Sequence, residues 1–380
     1  MTCRIAVFYA SMGFGHKTAA EALCEWCHAL FPASATMCRD VLDYVPKLMR
    51  GSIVSCYNAM MSKTPWMWDR MYKNTEAASG RHPVSMLWND LHKSMSKTWM
   101  KHLFAEMDRL KPQAVFSTHY LGMSALLDKW EHEIPIYFVG TDYLSHSLQR
   151  DPRFSGWFVG SEEAARQHRA DAVPTSEHSV KNFGIPISRD YLVPPTRSEA
   201  RRMLQVDEAR RMATVIGGGV GASVLDDVAG SLIDLPDWKI AIICRDNKRA
   251  FERLRDKYFP FRHITVTDSV PNVADYYAAS DVVVMNPNGV QMAEASTAGA
   301  AMLLLDPLPG AERDNCDYAL ERGAARKIYE NRRVGELLGE LMGQKDELSA
   351  MKFRARRLSR PNAAMDILTW AMDKPEKRES

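Results

Sequence analysis

Residues 281–305 read DVVVMNPNGVQMAEASTAGAAMLLL, and this stretch decides the fold class. Asp281 to Met285 form a short run that is apolar on both faces. A turn over Asn286-Pro287-Asn288-Gly289 follows, then a helical stretch bearing Glu294, then a second apolar run from Ala301 to Leu305. Two strands joined by a helical crossover must run parallel. Runs without polar alternation belong to a sheet covered on both sides.

The same unit recurs outward from here. Met212 to Ile216 leads into Gly217-Gly218-Gly219-Val220-Gly221, and Lys239 to Cys244 and His263 to Val266 complete a series that opens after the Pro-rich joint Leu192-Val193-Pro194-Pro195-Thr196. Nearer the N-terminus, Arg4 to Ala10 leads into Ser11-Met12-Gly13-Phe14-Gly15-His16, with helical spacing from Thr18 to Leu30. Thr36 to Val41, Ala114 to Thr118, Ile136 to Gly140 and Gly156 to Val159 supply further strands. The expectation is two consecutive α/β domains joined near residues 185–196, each opening with a strand and a glycine loop, facing a ligand cleft.

Composition narrows the class. The 380 residues are 46% apolar and 25% charged, the balance of an ordinary globular chain long enough for two domains. A net charge of +2 gives no reason to expect a nucleic-acid partner. No apolar run reaches the roughly 18 residues of a membrane span, and Met1 to Ala10 lack the layout of a signal peptide, so a cytoplasmic protein is expected. The seven cysteines follow no framework spacing and read as reduced thiols. Cys24-Glu25-Trp26-Cys27 spells C-x-x-C without a second pair, so two ordinary helix cysteines are the better reading.

Residues 47–101 interrupt the first domain with a different texture. They hold Trp66, Trp68, Trp88 and Trp99, many methionines, and nine basic against three acidic side chains. Basic residues interleaved with Trp and Met suit contact with an anionic bilayer surface. Packing between two helices is the competing role for most of these aromatics.

Three stretches carry chemistry. Gly13-Phe14-Gly15 lies at a strand-to-helix turn, where free amides and the helix dipole favour an anionic or oxygen-rich ligand. As a dinucleotide fingerprint it lacks the third glycine, Thr18 standing there, although Asp40 ends the next strand. His16, in the first helical turn, is suited to taking a proton from a hydroxyl. Gly217–Gly221 repeats the loop in the second domain. Finally, Glu294 is placed to accept the hydroxyls of a ribose beside a helix N-terminus that faces a diphosphate, while Glu312 and Asn315, past Pro309-Gly310, stand where a sugar could be gripped.

These stretches together resemble the GT-B glycosyltransferases of the monogalactosyldiacylglycerol synthase and processive diacylglycerol glucosyltransferase family, more distantly the peptidoglycan lipid GlcNAc transferase. Ala10 to His16 is similar to the family's glycine-rich loop with histidine. Tyr57-Asn58 and Pro65-Trp66-Met67-Trp68 resemble its acceptor segment. Ser117-Thr118-His119, Thr141-Asp142 with His146, and Gly184-Ile185-Pro186 match further landmarks. Pro287 to Glu294, followed by Pro309-Gly310 with Glu312 and Asn315, resembles the donor-site signature and is the most specific match.

The resemblance implies an α/β, GT-B fold of two Rossmann-like parallel-sheet domains, with a C-terminal helix crossing back. Residues 1–190 would bind a lipid acceptor, 47–101 would touch the membrane, 191–354 would bind the UDP-sugar, and 355–380 would return to the first domain and end in a frayed tail. A hexose would pass with inversion to diacylglycerol or a similar lipid hydroxyl on the cytoplasmic face of the membrane, with no cofactor or metal beyond the UDP-sugar itself. Catalysis would fall to His16 and Asp142. Gly218, Gly219, Gly289, Val290 and Glu294 would hold the diphosphate and ribose, Val270 the uracil, and Gly310, Glu312 and Asn315 the sugar. Gly15, Tyr57, Trp66, Trp68, His119 and His146 would serve the acceptor. The alternatives are a GlcNAc or other hexosyl transferase to a polyprenyl-linked or small-molecule acceptor, and a non-catalytic UDP-sugar-binding membrane-docking protein. Three positions depart from the family: Phe14 for a small residue, Ala311 for a glutamine, and Asn288 for a glycine, where asparagine's tolerance of positive φ would preserve the turn.

Overall fold

A computed structural model describes residues 3–77, 99–170, 180–245 and 247–373. Contacts divide the chain into two compact units. The first runs to Arg189 and takes in Pro309–Ala311 and the segment from Arg360, and the second holds Asp190–Leu308 and Glu312–Ser359.

In the first unit, β1 (Arg4–Tyr9) enters α1 (Phe14–Leu30) and β2 (Ala35–Asp40). Helices α2 (Lys47–Lys63), α3 (Pro65–Ala77) and α4 (Lys101–Leu110) precede β3 (Ala114–Ser117). Then come α5 (Met123–Trp130), β4 (Ile136–Val139), β5 (Gly156–Phe158), α6 (Glu162–Ala170) and β6 (Val180–Lys181). Among the described residues these strands form one six-stranded sheet, ordered β2-β1-β3-β4-β5-β6, and every pairing is parallel.

The second unit opens with α7 (Arg197–Met203), β7 (Arg211–Ile216), α8 (Ala222–Ser231), β8 (Trp238–Ile243), α9 (Lys248–Tyr258), β9 (Ile264–Thr267) and α10 (Val273–Ala279). It continues with β10 (Val282–Met285), α11 (Gly289–Ala298), β11 (Ala301–Leu304), α12 (Ala311–Glu321), β12 (Ala325–Lys327), α13 (Val334–Gly343) and α14 (Lys345–Arg356). Its sheet is ordered β12-β11-β10-β7-β8-β9, again parallel. The last helix, α15 (Ala363–Met372), packs Ala364, Ile367 and Leu368 onto Ile5, Val7 and Phe116 of the first unit's core.

Both sheets owe their form to strands buried on both faces; Ile5 to Phe8 and Val282 to Met285 are wholly inaccessible. In each, the chain winds outward one way and then restarts on the other side of the first strand. That reversal opens a crevice beyond the strand ends, between the loops after β1 and β3 in one unit and after β7 and β10 in the other. His119, Gly218 and Gly219 lie on these loops, and His16 and Glu294 lie in the helices that follow two of them.

Two local features differ from expectation. Helix α1 begins at Phe14, ahead of the helical spacing read from Thr18, because Gly13 takes φ 109° and turns the chain straight into it. Asn288 needs no left-handed backbone: its φ is −77°, and its side chain instead accepts from the Val290 and Gln291 amides as the cap of α11. Strands β6 and β12 are additional, and residues 47–77 fold as two helices. Trp88, with the other residues of 78–98, lies outside the described residues.

Gly184 shows why the joint needs glycine. Its φ is 101°, and a Cβ there would collide with Cβ of Arg360 at the start of the returning segment. All seven cysteines are free, and Cys27 Sγ lies 4.0 Å from Sγ of Cys3, the residue just before β1. Among the described residues, no helix is long and apolar enough to cross a membrane.

Candidate functional site

In the first unit the C-terminal ends of β1, β3 and β4 bring His16, Thr118, His119, Thr141 and Asp142 together. His16 Nδ1 lies 2.6 Å from the Thr118 carbonyl oxygen, which can only accept, so Nδ1 carries the proton. The other ring nitrogen, Nε2, is therefore the basic one. Thr141 Oγ1 sits 3.2 Å from the same Nδ1 and donates to Asp142 Oδ2 at 3.3 Å, linking the imidazole to a carboxylate. Burial pulls the His16 pKa below its usual 6.5, while Asp142 and the bond to Thr118 push it up without cancelling the fall. A neutral imidazole of fixed tautomer results. Gly15, one residue earlier in α1, is buried.

His119 packs edge-on against His16, with ring centroids 4.6 Å apart, and its Nδ1 accepts from the Leu121 amide. His146 has a different task. Its Nδ1 accepts from the Leu148 amide, and its Nε2 meets the Tyr72 carbonyl at 3.2 Å, Thr75 Oγ1 at 3.1 Å and Glu76 at 3.5 Å. Glu76 also accepts from the Ser147 amide and from Arg150. Both nitrogens of His146 are thus spent on fastening α3, so its part in the site is to position that helix. On α3, Trp66 is 66% exposed and Met67 45%, whereas Trp68 turns inward and donates from Nε1 to the Pro309 carbonyl at 3.0 Å. Gly310 lies against Trp68 and Tyr72, where a Cβ would come within 3.2 Å of the indole nitrogen. Tyr57 is on α2.

In the second unit, Glu294 is 3% exposed on α11, a helix buried from Gly289 through Ser296. Burial raises its pKa, opposed by Arg245 and by the Tyr191 hydroxyl. Arg245 Nη1 stands 3.5 Å from Glu294 Oε2. Neither atom has a hydrogen bond, nor do the buried Tyr277 hydroxyl and Gln291 Oε1. A group of buried polar atoms without partners demands an explanation, and an incoming polar ligand supplies one. A Cβ on Gly218 would come within 2.8 Å of Gln291 Nε2, so the glycine loop lies against the Gln291 side chain of α11.

Asn286 ties the remaining pieces together. Its amide donates to the Gly219 carbonyl at 3.3 Å and reaches Glu312 Oε1 at 3.5 Å. Glu312 accepts from the Leu308 amide, and buried Asn315 donates to the Pro287 carbonyl at 3.1 Å. Gly219, Gly289, Val290, Glu294, Glu312 and Asn315 thus gather around the β7 and β10 loops, and Val270 lies half-buried in the loop from β9 to α10. Sequence reading passed over Arg245, Tyr191, Gln291 and Asn286. Asn286 lies directly beyond the end of β10 and Arg245 two residues beyond the end of β8, which was the available signal. Among the described residues, no group of three His, Cys, Asp or Glu side chains could hold a metal ion.

Two parallel sheets of this order, each with polar residues at its reversal point, define the GT-B class. In line with this, the crystal structure of Acinetobacter baumannii MurG matches 98% of this chain and 100% of its own, with a TM-score of 0.59. At 17% identity that likeness speaks for the fold alone. Sequence comparison goes further. The family model described as monogalactosyldiacylglycerol (MGDG) synthase matches residues 16–187. A processive diacylglycerol beta-glucosyltransferase of Staphylococcus carnosus (strain TM300) is 27% identical over 231 residues, 60% of this chain and 59% of its own. A probable chloroplastic monogalactosyldiacylglycerol synthase of Nicotiana tabacum is 27% identical over 221 residues, 56% of this chain and 41% of its own. The matches therefore span about half the length of these relatives. The chain is thus similar in sequence to monogalactosyldiacylglycerol synthases and processive diacylglycerol glucosyltransferases, the group its motifs resemble.

Proposed function

We propose that this protein is an inverting glycosyltransferase that moves a hexose from a UDP-sugar to diacylglycerol or a similar lipid hydroxyl at a membrane surface. The observation that carries the proposal is the state of His16: a neutral imidazole, its proton fixed on Nδ1 by a carbonyl, in the part of the chain related to lipid glycosyltransferases.

In the proposed reaction, His16 Nε2 takes the proton of the lipid hydroxyl as its oxygen attacks the anomeric carbon. The bond from that carbon to the diphosphate oxygen breaks, and UDP leaves with the electron pair. Asp142, coupled to the ring through Thr141, stabilises the imidazolium that forms. Glu294 accepts the ribose hydroxyls, and the backbone near Val270 meets the uracil. Gly218 and Gly219 receive the diphosphate; the Val290 amide joins them only when the Asn288 side chain releases it. Gly310, Glu312 and Asn315 grip the sugar. Gly15, His119, Tyr57 and Trp68 serve the acceptor, α3 being held in place by His146. The chain would lie peripherally on the cytoplasmic face of the membrane, with Trp66 entering the lipid, and would need no cofactor or metal beyond the donor.

The test is to incubate the purified protein with UDP-glucose or UDP-galactose and diacylglycerol liposomes, and to identify the lipid product by mass and anomeric configuration. A β-linked diacylglycerol hexoside is expected. Release of UDP without any glycolipid, or an α-linked product, would contradict the proposal.

A further inference from the structure

Arg245 is a residue of the donor-side cluster that none of the quoted motifs explains. It stands two residues past β8 and takes φ 49°, the left-handed region that glycine occupies without steric cost. The other described non-glycine residues with positive φ, Lys111 and Gln205, are exposed and lie just past helix ends. Arg245 has no helix end to account for it. Side chains persist in such a conformation where their surroundings over-determine them, which is common at ligand sites.

The surroundings of Arg245 are specific. Its stem lies over Gly218, where a Cβ would come within 3.2 Å of Arg245 Cδ. Its guanidinium extends from there to Glu294, so one side chain joins the glycine loop to the buried carboxylate. A well-formed arginine–carboxylate pair is bidentate, with contacts of roughly 2.7–2.9 Å. This one is a single approach of 3.5 Å, with both facing atoms buried and neither hydrogen-bonded. So loose a buried pair repays little of its desolvation. The two charges are kept together but unsatisfied. Glu294 Oε2 is left to accept from a hydroxyl donor, and Arg245 Nη1 to donate to an anionic oxygen. A nucleoside diphosphate brings both on one molecule.

We propose that Arg245 is an exchangeable counter-ion of the donor site: it pairs with Glu294 while no donor is bound, and turns to the diphosphate oxygens when the ribose hydroxyls take the carboxylate. This rests on the donor reading given above and adds the residue that meets the charge of the leaving diphosphate.

Calorimetric titration with uridine and with UDP separates the roles, in the parent and in Arg245→Gly and Arg245→Lys. Glycine takes the left-handed backbone freely, so Arg245→Gly removes the side chain while relieving the turn. Any effect that passes only through Glu294 is felt by both ligands and cancels in the ratio of their dissociation constants. The expected result is that UDP's advantage over uridine shrinks by about tenfold or more in Arg245→Gly and is partly restored in Arg245→Lys. An unchanged ratio in Arg245→Gly, with UDP still binding the parent, would overturn the role of Arg245 and leave the donor reading standing. Absence of UDP binding to the parent would overturn the donor reading and this inference with it. Should Arg245→Gly fail to fold, the same ratio measured on Arg245→Met decides in the same way.

Discussion

His16 can take a proton only while its ring is neutral, and that fixes the pH behaviour of the site. Burial lowers its pKa from 6.5, so the base is available above that lowered value, and the acid limb of kcat/KM must lie below pH 6.5. Asp142 opposes the fall, so Asp142→Asn should move the limb to still lower pH. An acid limb above pH 6.5 in the parent would mean that another group is titrating. Replacing His16 by Ala should cut turnover by roughly 10²–10⁴-fold while leaving UDP affinity unchanged. Glu294→Ala should instead weaken UDP by about 1.5–3 kcal/mol in calorimetry, because hydrogen bonds to a charged carboxylate disappear. Equal affinity in Glu294→Ala and the parent would remove Glu294 from the donor site. His16 and Glu294 were legible in the sequence because each follows a strand and a glycine turn. Arg245 was not, since C-R-D-N carries no glycine or periodicity, and only the folded backbone shows its positive φ beside Gly218.

At the scale of elements, α3 divides its aromatics between two tasks. Trp66 is exposed, and Trp66→Ser should lower co-sedimentation with anionic liposomes on the order of tenfold, the worth of burying one aromatic side chain. Trp68→Ser should leave liposome binding nearly intact and loosen the loop at Pro309 instead. Unchanged partitioning of Trp66→Ser would show that α3 does not enter the lipid. On α6, His168 is buried against Trp157 and its pKa falls to about 3. Its neutral form is favoured by folding, so the stability it contributes is complete above pH 6.5 and is lost as pH falls from there toward 3. The loss is on the order of 4 kcal/mol; urea melts of His168→Gln should show a smaller acid destabilisation than the parent. Helix α15 should be as essential as a strand. Leu368→Ala should cost about 2–5 kcal/mol of unfolding free energy, because its side chain is wholly buried against the first sheet.

The elements that sequence reading recovered are those buried on both faces, such as Arg4–Tyr9 and Val282–Met285. It missed Val180–Lys181 and Ala325–Lys327, edge strands of two and three residues with polar content and no pattern long enough to read. It read helical spacing only from Thr18, because apolar spacing cannot show that Gly13 bends the backbone into a helix at Phe14. At Asn288 it foresaw backbone tolerance where the side chain in fact supplies a cap.

For the whole molecule, two parallel sheets, each of six strands among the described residues, place a topological reversal in each unit, and the proposed chemistry draws on both. The first unit supplies a neutral imidazole linked through a hydroxyl to a carboxylate, and the second a buried carboxylate with a loosely held guanidinium. The proposed transfer needs a proton acceptor for the lipid hydroxyl and a place for a departing diphosphate, and these two groups have the chemistry for those tasks. The measurement that tests this division most directly is a crystal of the protein soaked with UDP. The account predicts the ribose hydroxyls on Glu294, with Arg245 turned toward the diphosphate near Gly218 and Gly219. Nucleotide bound at the Gly13–Gly15 turn of the first unit, with Glu294 still facing Arg245, would contradict it.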